Sequence, residues 1–424
     1  MKIIFFGALA NNTYVVAQAF QRQGVDAFYI KDIADTFPFS QPVWEDKAFI
    51  LPYEKIDSQY WTRQKWEEFE KENHWEKPSY IIDPLIFEND GKKQFLSKKN
   101  KNIFLNFWYL KKQYRKNIIH AMQDADCLVV CGIEATILAW ASGKPFVILP
   151  HGGDIRFASG IGKKILIRPS DIRTELLRFL LKKSYSHCLW IGTNDPTGVG
   201  VHVSSVNYPI RYFPLPMKKR DRVPNNIYHD HLHKIFSSLG ISLPESQYYI
   251  FIPSRIDYYW KGTDRLLAAI HVAKVKNIHF IFSGWGKDYE SAKNQMKSYK
   301  NCTFLPFAVS KPILFDIFAS VDIVVDQFLC GTYGTSALEA ISLGTPVMMY
   351  IQNDIFQEKG WLPPPVINVK FPDDIAKIFI QIDNGYFDFD KCSKDLLSWF
   401  DQTHNENTSV TRIVSQIRES ILYE

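Results

Sequence analysis

Tyr248-Tyr249-Ile250-Phe251-Ile252-Pro253, continuing as Ser254-Arg255-Ile256-Asp257-Tyr258-Tyr259-Trp260-Lys261-Gly262-Thr263-Asp264, decides how the chain is read. The first six residues form a short apolar run, the pattern of a strand buried on both faces of a parallel sheet. A polar loop follows, and 263–275 reads as a helix. The alternation then continues: strand 278–283, strand 302–307, helix 311–319, strand 322–325, helix 338–343, strand 346–350. Such alternation predicts a doubly wound α/β domain, whose ligands bind outside the carboxyl ends of the strands.

The same pattern opens the chain. Residues 2–7 are an apolar run ending in Gly7, followed by the small-residue loop Gly7-Ala8-Leu9-Ala10-Asn11-Asn12. Asn12 suits the cap of a helix over 13–23, and 26–30 reads as a second strand. Strand 127–131, helix 134–142 and strand 145–150 come later, the last ending in His151-Gly152-Gly153-Asp154. Residues 171–184 read as a basic amphipathic helix and 189–192 as a strand. Residues 40–100 are rich in Trp, Glu, Lys and Pro and show no clear period. The polar, Pro-containing run from Pro216 to Asn226 reads as an interdomain link. The expected division is 1–218, a link over 219–245, a second domain over 246–395, and helices over 396–424 that cross back to the first.

The bulk numbers agree with two domains. The chain has 424 residues, 46% apolar and 22% charged, an ordinary globular balance. Net charge is +5, but residues 101–218 hold 16 Lys and Arg against 7 Asp and Glu. That stretch can attract phosphates or an anionic membrane face. Within it, 104–123 reads as a helix carrying Phe104, Phe107, Trp108, Lys111, Lys112 and Arg115, a candidate membrane-surface element. The six cysteines are scattered without metal spacing, and Cys127-Leu128-Val129-Val130-Cys131 reads as a buried strand rather than a zinc site. No uncharged apolar run reaches the ~18–20 residues needed to cross a bilayer. The expectation is a cytoplasmic protein, peripheral on an inner membrane face. No nucleic-acid-binding module is visible, so a nucleic-acid partner is not expected.

Arg255 and Lys261 fall at the carboxyl end of the strand over 248–253. Two fixed cations six residues apart suit a diphosphate, the Arg as a planar fork and the Lys as a point charge. Downstream, Asp326-Gln327-Phe328-Leu329-Cys330-Gly331-Thr332-Tyr333-Gly334-Thr335-Ser336-Ala337-Leu338-Glu339-Ala340 leads from a strand through a Gly-rich loop into a helix. Gly334, Thr335 and Ser336 stand where free amides can hold phosphate. Glu339, one turn further in, can accept from two ribose hydroxyls. Between these elements another strand ends in Ser283-Gly284-Trp285-Gly286.

In order and spacing these motifs resemble the retaining GT-B glycosyltransferases of family four, the group 1 transferases. Arg255 and Lys261-Gly262, Gly284-Trp285-Gly286, and Glu339-Ala340 ahead of Gly344-Thr345-Pro346-Val347 match, covering about 248–350. Gly7 and its loop match more loosely, as does His151-Gly152, which in the family lies beside the donor sugar. The resemblance implies a GT-B fold of two Rossmann-like domains facing across a cleft. It also implies a nucleotide-diphosphate sugar donor, retention, and no cofactor or metal. His151, Arg255 and Lys261 are its catalytic candidates. Gly7, Gly284, Gly286, Gly334, Thr335, Ser336 and Glu339 are its donor-binding candidates. Asn11, Asn12, Asp154 and Arg156 are weaker acceptor-side candidates. One position departs: the first Glu of the family's Glu-x7-Glu element falls on Gly331. In the family that carboxylate faces the donor sugar, and Asp326 is the available substitute.

The expected reaction is transfer of a sugar, as by a hexosyltransferase, to a saccharide or lipid-linked saccharide in surface-polysaccharide or glycoconjugate assembly. Arg255, Lys261 and backbone amides would meet the charge developing on the departing diphosphate. Hinge closure near 215–245 would exclude water. Two other readings stay open: a nucleotide-sugar epimerase of GT-B fold, and a non-catalytic nucleotide-sugar-binding protein. A phosphorylase is disfavoured, because it needs a cofactor-binding Lys and a much longer chain.

Overall fold

The computed structural model describes residues 1–7, 11–32, 35–56, 60–84, 112–150, 152–159, 169–197, 209–224 and 227–422. Its strands, in chain order, are β1 (Ile3–Phe6), β2 (Ala27–Ile30), β3 (Ile50–Pro52), β4 (Ile81–Ile82), β5 (Cys127–Val130), β6 (Phe146–Ile148), β7 (Trp190–Thr193), β8 (Ile210–Tyr212), β9 (Tyr248–Ile252), β10 (Ile278–Phe282), β11 (Cys302–Phe304), β12 (Phe307–Val309), β13 (Ile323–Val325), β14 (Val347–Met349) and β15 (Ile367–Asn368). The chain forms two compact units. One holds Met1–Pro42, Thr62–Pro216 and Glu406–Glu424; the other holds Val43–Trp61 and Met217–Asn405.

The first unit is built on a parallel sheet of order β4-β2-β1-β5-β6-β7-β8. The strands are apolar throughout because both sheet faces are covered. Successive side chains alternate between faces. Ile4, Phe6, Leu128 and Val130 enter one core with Ile137, Leu138 and Leu181. Ile3, Phe5, Cys127 and Val129 enter the other with Tyr14, Val16 and Phe20. Helix Glu406–Leu422 closes that second face with Val410, Ile413, Val414 and Ile417.

The second unit repeats the plan with a parallel sheet of order β11-β10-β9-β13-β14-β15. Its core gathers Ile250, Ile252, Phe280, Phe282, Ile323 and Val325 under helices Thr263–Ala273 and Pro372–Asp383. In both sheets the first strand of the sheet has its successor on one side and a later strand on the other. That reversal of winding, between β1 and β5 and between β9 and β13, is where doubly wound sheets open a crevice for ligands.

Several details depart from the sequence reading. The link expected over 219–245 lies inside the second unit and contains helix Tyr228–Ser238, whose Leu232 and Phe236 are buried. The chain passes between units at Pro42/Val43, Trp61/Thr62, Pro216/Met217 and Asn405/Glu406. The single strand expected over 302–307 is two, because Leu305-Pro306 interrupts it, and Pro has no N–H for a ladder. Residues 43–61, unreadable by period, belong to the second unit, where β3 pairs antiparallel with β12. Of the helix expected over 104–123, the described part is Gln113–Met122. Among the described residues no helix is long and apolar enough to cross a membrane.

Candidate functional site

β9 and β13 are neighbours in register, Ile250 beside Ile323 and Phe251 beside Val324, so their carboxyl ends emerge side by side. Ser254 follows the first and Asp326 the second. Ser254 Oγ donates to Asp326 Oδ1 at 2.5 Å, and Lys261 Nζ donates to the same oxygen at 2.7 Å. Gly334 N–H donates to Asp326 Oδ2 at 3.3 Å. The Asp326 side chain is 0% exposed and Lys261 23%. Burial alone would raise the Asp326 pKa, but Lys261, Ser254 and the Gly334 amide together hold it below the ordinary carboxylate range. Asp326 is therefore the ionised anchor that fixes Lys261 at the reversal point of the sheet.

The loop between β9 and helix Thr263–Ala273 is shaped by a second carboxylate. Asp257 Oδ1 accepts from Tyr259 N–H at 3.0 Å and Trp260 N–H at 2.9 Å, turning the chain. Arg255 Nε lies 3.7 Å from Asp257 Oδ2, and Lys287 Nζ 3.3 Å from Oδ1. Despite burial, those donors and cations keep the Asp257 pKa lowered. The Arg255 side chain is 43% exposed at the carboxyl end of β9, although its Nε is buried. Gly262 then takes φ 68°, with Leu329 only 3.0 Å from where a Cβ would stand, and the helix begins. Lys261 O accepts from Phe328 N–H at 2.9 Å, which joins this loop to the one after β13.

That later loop is organised by Gln327, whose Oε1 accepts from Leu329 N–H and Cys330 N–H at 3.0 and 2.6 Å. Gly331 takes φ 70°, with Gln352 Cβ 3.0 Å from its would-be Cβ. A Glu at this position would need a left-handed backbone and room that Gln352 occupies, so the departure at Gly331 has a conformational counterpart. Thr335 and Ser336, partly exposed, open the short helix Thr335–Ile341, and Glu339 lies buried within it. Lys311 Nζ donates to Glu339 Oε1.

The glycines divide. A Cβ on Gly334 would stand 3.1 Å from Asp326 Oδ2 and 3.9 Å from Lys261 Nζ, so this glycine faces the charged site. A Cβ on Gly284 would stand 2.3 Å from Leu305 O, and one on Gly286 2.3 Å from Ile256 O. Both glycines permit backbone-to-backbone approach, a demand of the fold itself. Gly7 is of that kind too: at φ 114° its would-be Cβ lies 1.9 Å from Cys131 O.

Of the acceptor-side candidates, Asn11 is fully buried and its Nδ2 donates to Gln41 O at 2.7 Å. Asn12 begins helix Asn12–Arg22. Asp154 is buried in helix Gly153–Ser159, accepts from Ile155 N–H at 2.9 Å, and adds to the burial that pushes the Cys131 thiol up. Arg156 lies in the same helix. His151 lies outside the described residues. Sequence reasoning missed Ser254 as a partner of Asp326, Lys287 as a third cation, and Lys311. It also missed a small cavity in the first unit, lined by Lys31, Asp32, Asp35, Gln41, Trp66 and Asp83 at the ends of β2 and β4.

Residues 238–356 match the family described as Glycosyl transferases group 1. No curated protein matches the chain. HepE from Anabaena, solved in complex with UDP-glucose, is 12% identical, with 99% of this chain and 100% of that one covered and a TM-score of 0.59. Sucrose-phosphate synthase from Thermosynechococcus elongatus is 12% identical over the full length of both chains, with a TM-score of 0.61. The catalytic domain of starch synthase IV from Arabidopsis thaliana, bound to ADP and acarbose, is 13% identical with a TM-score of 0.58, covering 100% of this chain and 99% of that one. At these identities the structural likeness establishes the fold, GT-B with two Rossmann-like units. The matched segment spans Arg255, Lys261 and Glu339 and is similar to group 1 glycosyltransferases. The matched residues lie within the second unit.

Proposed function

We propose that the protein transfers a hexose-type sugar from a nucleotide diphosphate to a hydroxyl of a saccharide acceptor, with retention of anomeric configuration. The observation that carries this reading is Lys261, held by the buried Asp326 at the reversal point of the second sheet, with Arg255 on the same loop. The leaving diphosphate gains charge as the glycosidic bond breaks, and preorganised cations at that spot lower the barrier. Protein cations, rather than a bound metal ion, meet that charge. His151, beside the donor sugar by resemblance, completes the catalytic set. Solved structures with the same fold hold UDP-glucose or ADP, which supports a nucleotide-diphosphate donor. The basic stretch 101–218 supports a lipid-linked acceptor met at an inner membrane face, in surface-polysaccharide or glycoconjugate assembly.

The test is calorimetric titration of UDP-, GDP- and ADP-sugars into wild type and Lys261→Ala, followed by NMR of the best donor with and without saccharide acceptors. One donor should bind wild type and lose about 2–3 kcal/mol in the variant, the worth of a charge-assisted contact. Binding that is equal in both proteins would remove Lys261 from the donor site. Conversion of the donor without any acceptor would turn the reading toward an epimerase.

A further inference from the structure

Lys311 is the first residue of helix Lys311–Phe318. A cation in the first turn of a helix stands against the helix dipole, so local preference does not explain it. Its side chain is 14% exposed, and that of Glu339 4%. Lys311 Nζ takes Glu339 Oε1, while Oε2 is buried and has no hydrogen-bond partner among the described residues. Burial would lower the Lys311 pKa; Glu339 first and Glu45 second reverse this, and the net is upward. Glu45 comes from the 43–61 segment, which lies far from Lys311 in sequence and enters the second unit on its own. The same segment fixes the start of the helix. Phe49 N–H donates to Ser310 Oγ at 2.9 Å, and Ser310 N–H donates to Phe49 O at 3.0 Å. β3 then pairs with β12 just ahead of it, and Tyr53 stacks on Tyr289 at 5.2 Å.

We infer that Lys311, clamped by the 43–61 segment, is a positioning residue that fixes the Glu339 carboxylate through Oε1 and so aims its unpartnered Oε2 at the ribose hydroxyls of the donor. The inference rests on the nucleotide-sugar reading of this site and deepens it. Around Lys311 the ammonium meets the Glu339 carboxylate directly, and the remaining carboxylate oxygen suits neutral hydroxyl donors and repels phosphate. Around Asp257 and Asp326, three cations (Arg255, Lys261 and Lys287) face two carboxylates, a net positive end suited to diphosphate. Gly334, which touches Asp326, and Glu339 are joined by five residues of helix start, roughly 7 Å of rise. The two ends are thus spaced as the two ends of a nucleotide diphosphate require. A carboxylate oxygen sealed from water without a donor is costly, and a ligand hydroxyl supplies the donor. Because Oε1 is committed to Lys311, the diol meets one oxygen whose position the ammonium sets. Without Lys311 the buried carboxylate loses the contact that fixes Oε1 and is free to turn away.

The experiment is calorimetric titration of UDP, GDP and ADP and of their 2′,3′-dideoxy forms into wild type, Glu339→Gln, Lys311→Met, Glu45→Gln and the double variant Lys311→Met/Glu339→Gln. For the nucleotide that binds, wild type should prefer the ribose form by about tenfold or more, the worth of a charged hydrogen bond. Glu339→Gln and Lys311→Met should each erase most of that preference while the dideoxy form binds as in wild type. Glu45→Gln should reduce it less. The double variant should match the Glu339 single, showing that Lys311 acts through Glu339. If Lys311→Met does not fold, the double variant, which buries no orphan charge, carries the test against Glu339→Gln. A folded Lys311→Met that keeps the full ribose preference overturns the inference, as does a wild type that binds both forms alike. A wild type that binds none of the six nucleotides overturns the donor reading itself, and this inference with it.

Discussion

The carboxyl edge of β1 and the carboxyl edge of β9 occupy the same place in two sheets wound in the same order, yet they are finished with different chemistry. After β1, Gly7 O accepts from Thr13 Oγ1, Asn11 Nδ2 donates to Gln41 O, and both Asn11 and Thr13 are fully buried. This edge is closed by neutral hydrogen bonds. After β9 and β13, two buried carboxylates organise three cations, and two of those cations, Arg255 and Lys287, are well exposed. Topology supplies a crevice in both units; among the described residues, it is after β9 and β13 that paired carboxylates gather three cations.

Two glycines break or sharpen that contrast, and they carry the largest expected effect. Gly7→Ala would put a methyl 1.9 Å from Cys131 O at φ 114°, a clash with backbone that no side-chain rotation relieves. A loss of about 4 kcal/mol or more in denaturant unfolding is expected, enough to unfold the first unit. Gly334→Ala meets only the Asp326 carboxylate at 3.1 Å and has φ −92°, open to any residue. It should cost about 1 kcal/mol of stability and lose nucleotide binding by crowding Lys261. If the two variants behave alike, the division into a structural edge and a functional edge fails.

The acid limb of stability sharpens the comparison further. His279 of β10 is buried, its Nε2 is 2.8 Å from Thr303 Oγ1, and burial, then His233, lowers its pKa to about 4. An unfolded His titrates near about 6.5, so the folded state resists a proton that the unfolded state accepts. This contribution is fully present above about pH 6.5 and is lost as pH falls toward 4, with an upper size of about 3 kcal/mol. Asp326, whose folded pKa is depressed, keeps its contribution above the unfolded carboxylate value near about 3.9 and loses it only as pH falls through its own lower pKa. The second unit should therefore weaken between pH 6.5 and 4 through His279 while the Lys261–Asp326 pair survives. His279→Gln should flatten that slope in melting experiments without altering nucleotide affinity at pH 7. An unchanged slope would place the acid sensitivity elsewhere.

The sequence made the repeated sheet plan legible because both-face burial leaves unbroken apolar runs such as Ile3–Phe6 and Tyr248–Ile252. It also placed Arg255, Lys261 and Glu339, since their spacing is local to one loop or one helix start. It did not reveal what Asp326 does, because that role depends on β9 and β13 lying side by side with 72 residues between Ser254 and Asp326. The 43–61 segment escaped for the same reason: its partners Ser310 and Tyr289 are more than 200 residues away, and a three-residue strand paired at a sheet edge leaves no period to read. Gly284 and Gly286 looked like ligand-facing glycines and are explained by backbone approach. A glycine's need for space is visible in sequence, but what fills the space is not.

The smallest expected effect concerns how the loop after β13 is tied to the rest of its unit. Tyr333 sits between Gly331 and Gly334, is buried, and its hydroxyl is 2.9 Å from His404 Nε2. Its ring stacks on Phe356 at 5.9 Å and meets Trp399 edge-on at 5.5 Å. His404 O in turn accepts from Met217 N–H at 3.0 Å, so residues beside two of the four chain crossings, at 216/217 and 405/406, meet at this ring. Tyr333→Phe keeps the packing and removes one buried hydrogen bond, worth about 1 kcal/mol. If the ring packing holds the loop, nucleotide affinity should stay within about threefold of wild type, less than 1 kcal/mol. A larger loss of affinity with little loss of stability would mean that the hydroxyl, through His404, sets the position of Gly334 and with it the charged edge of the second sheet.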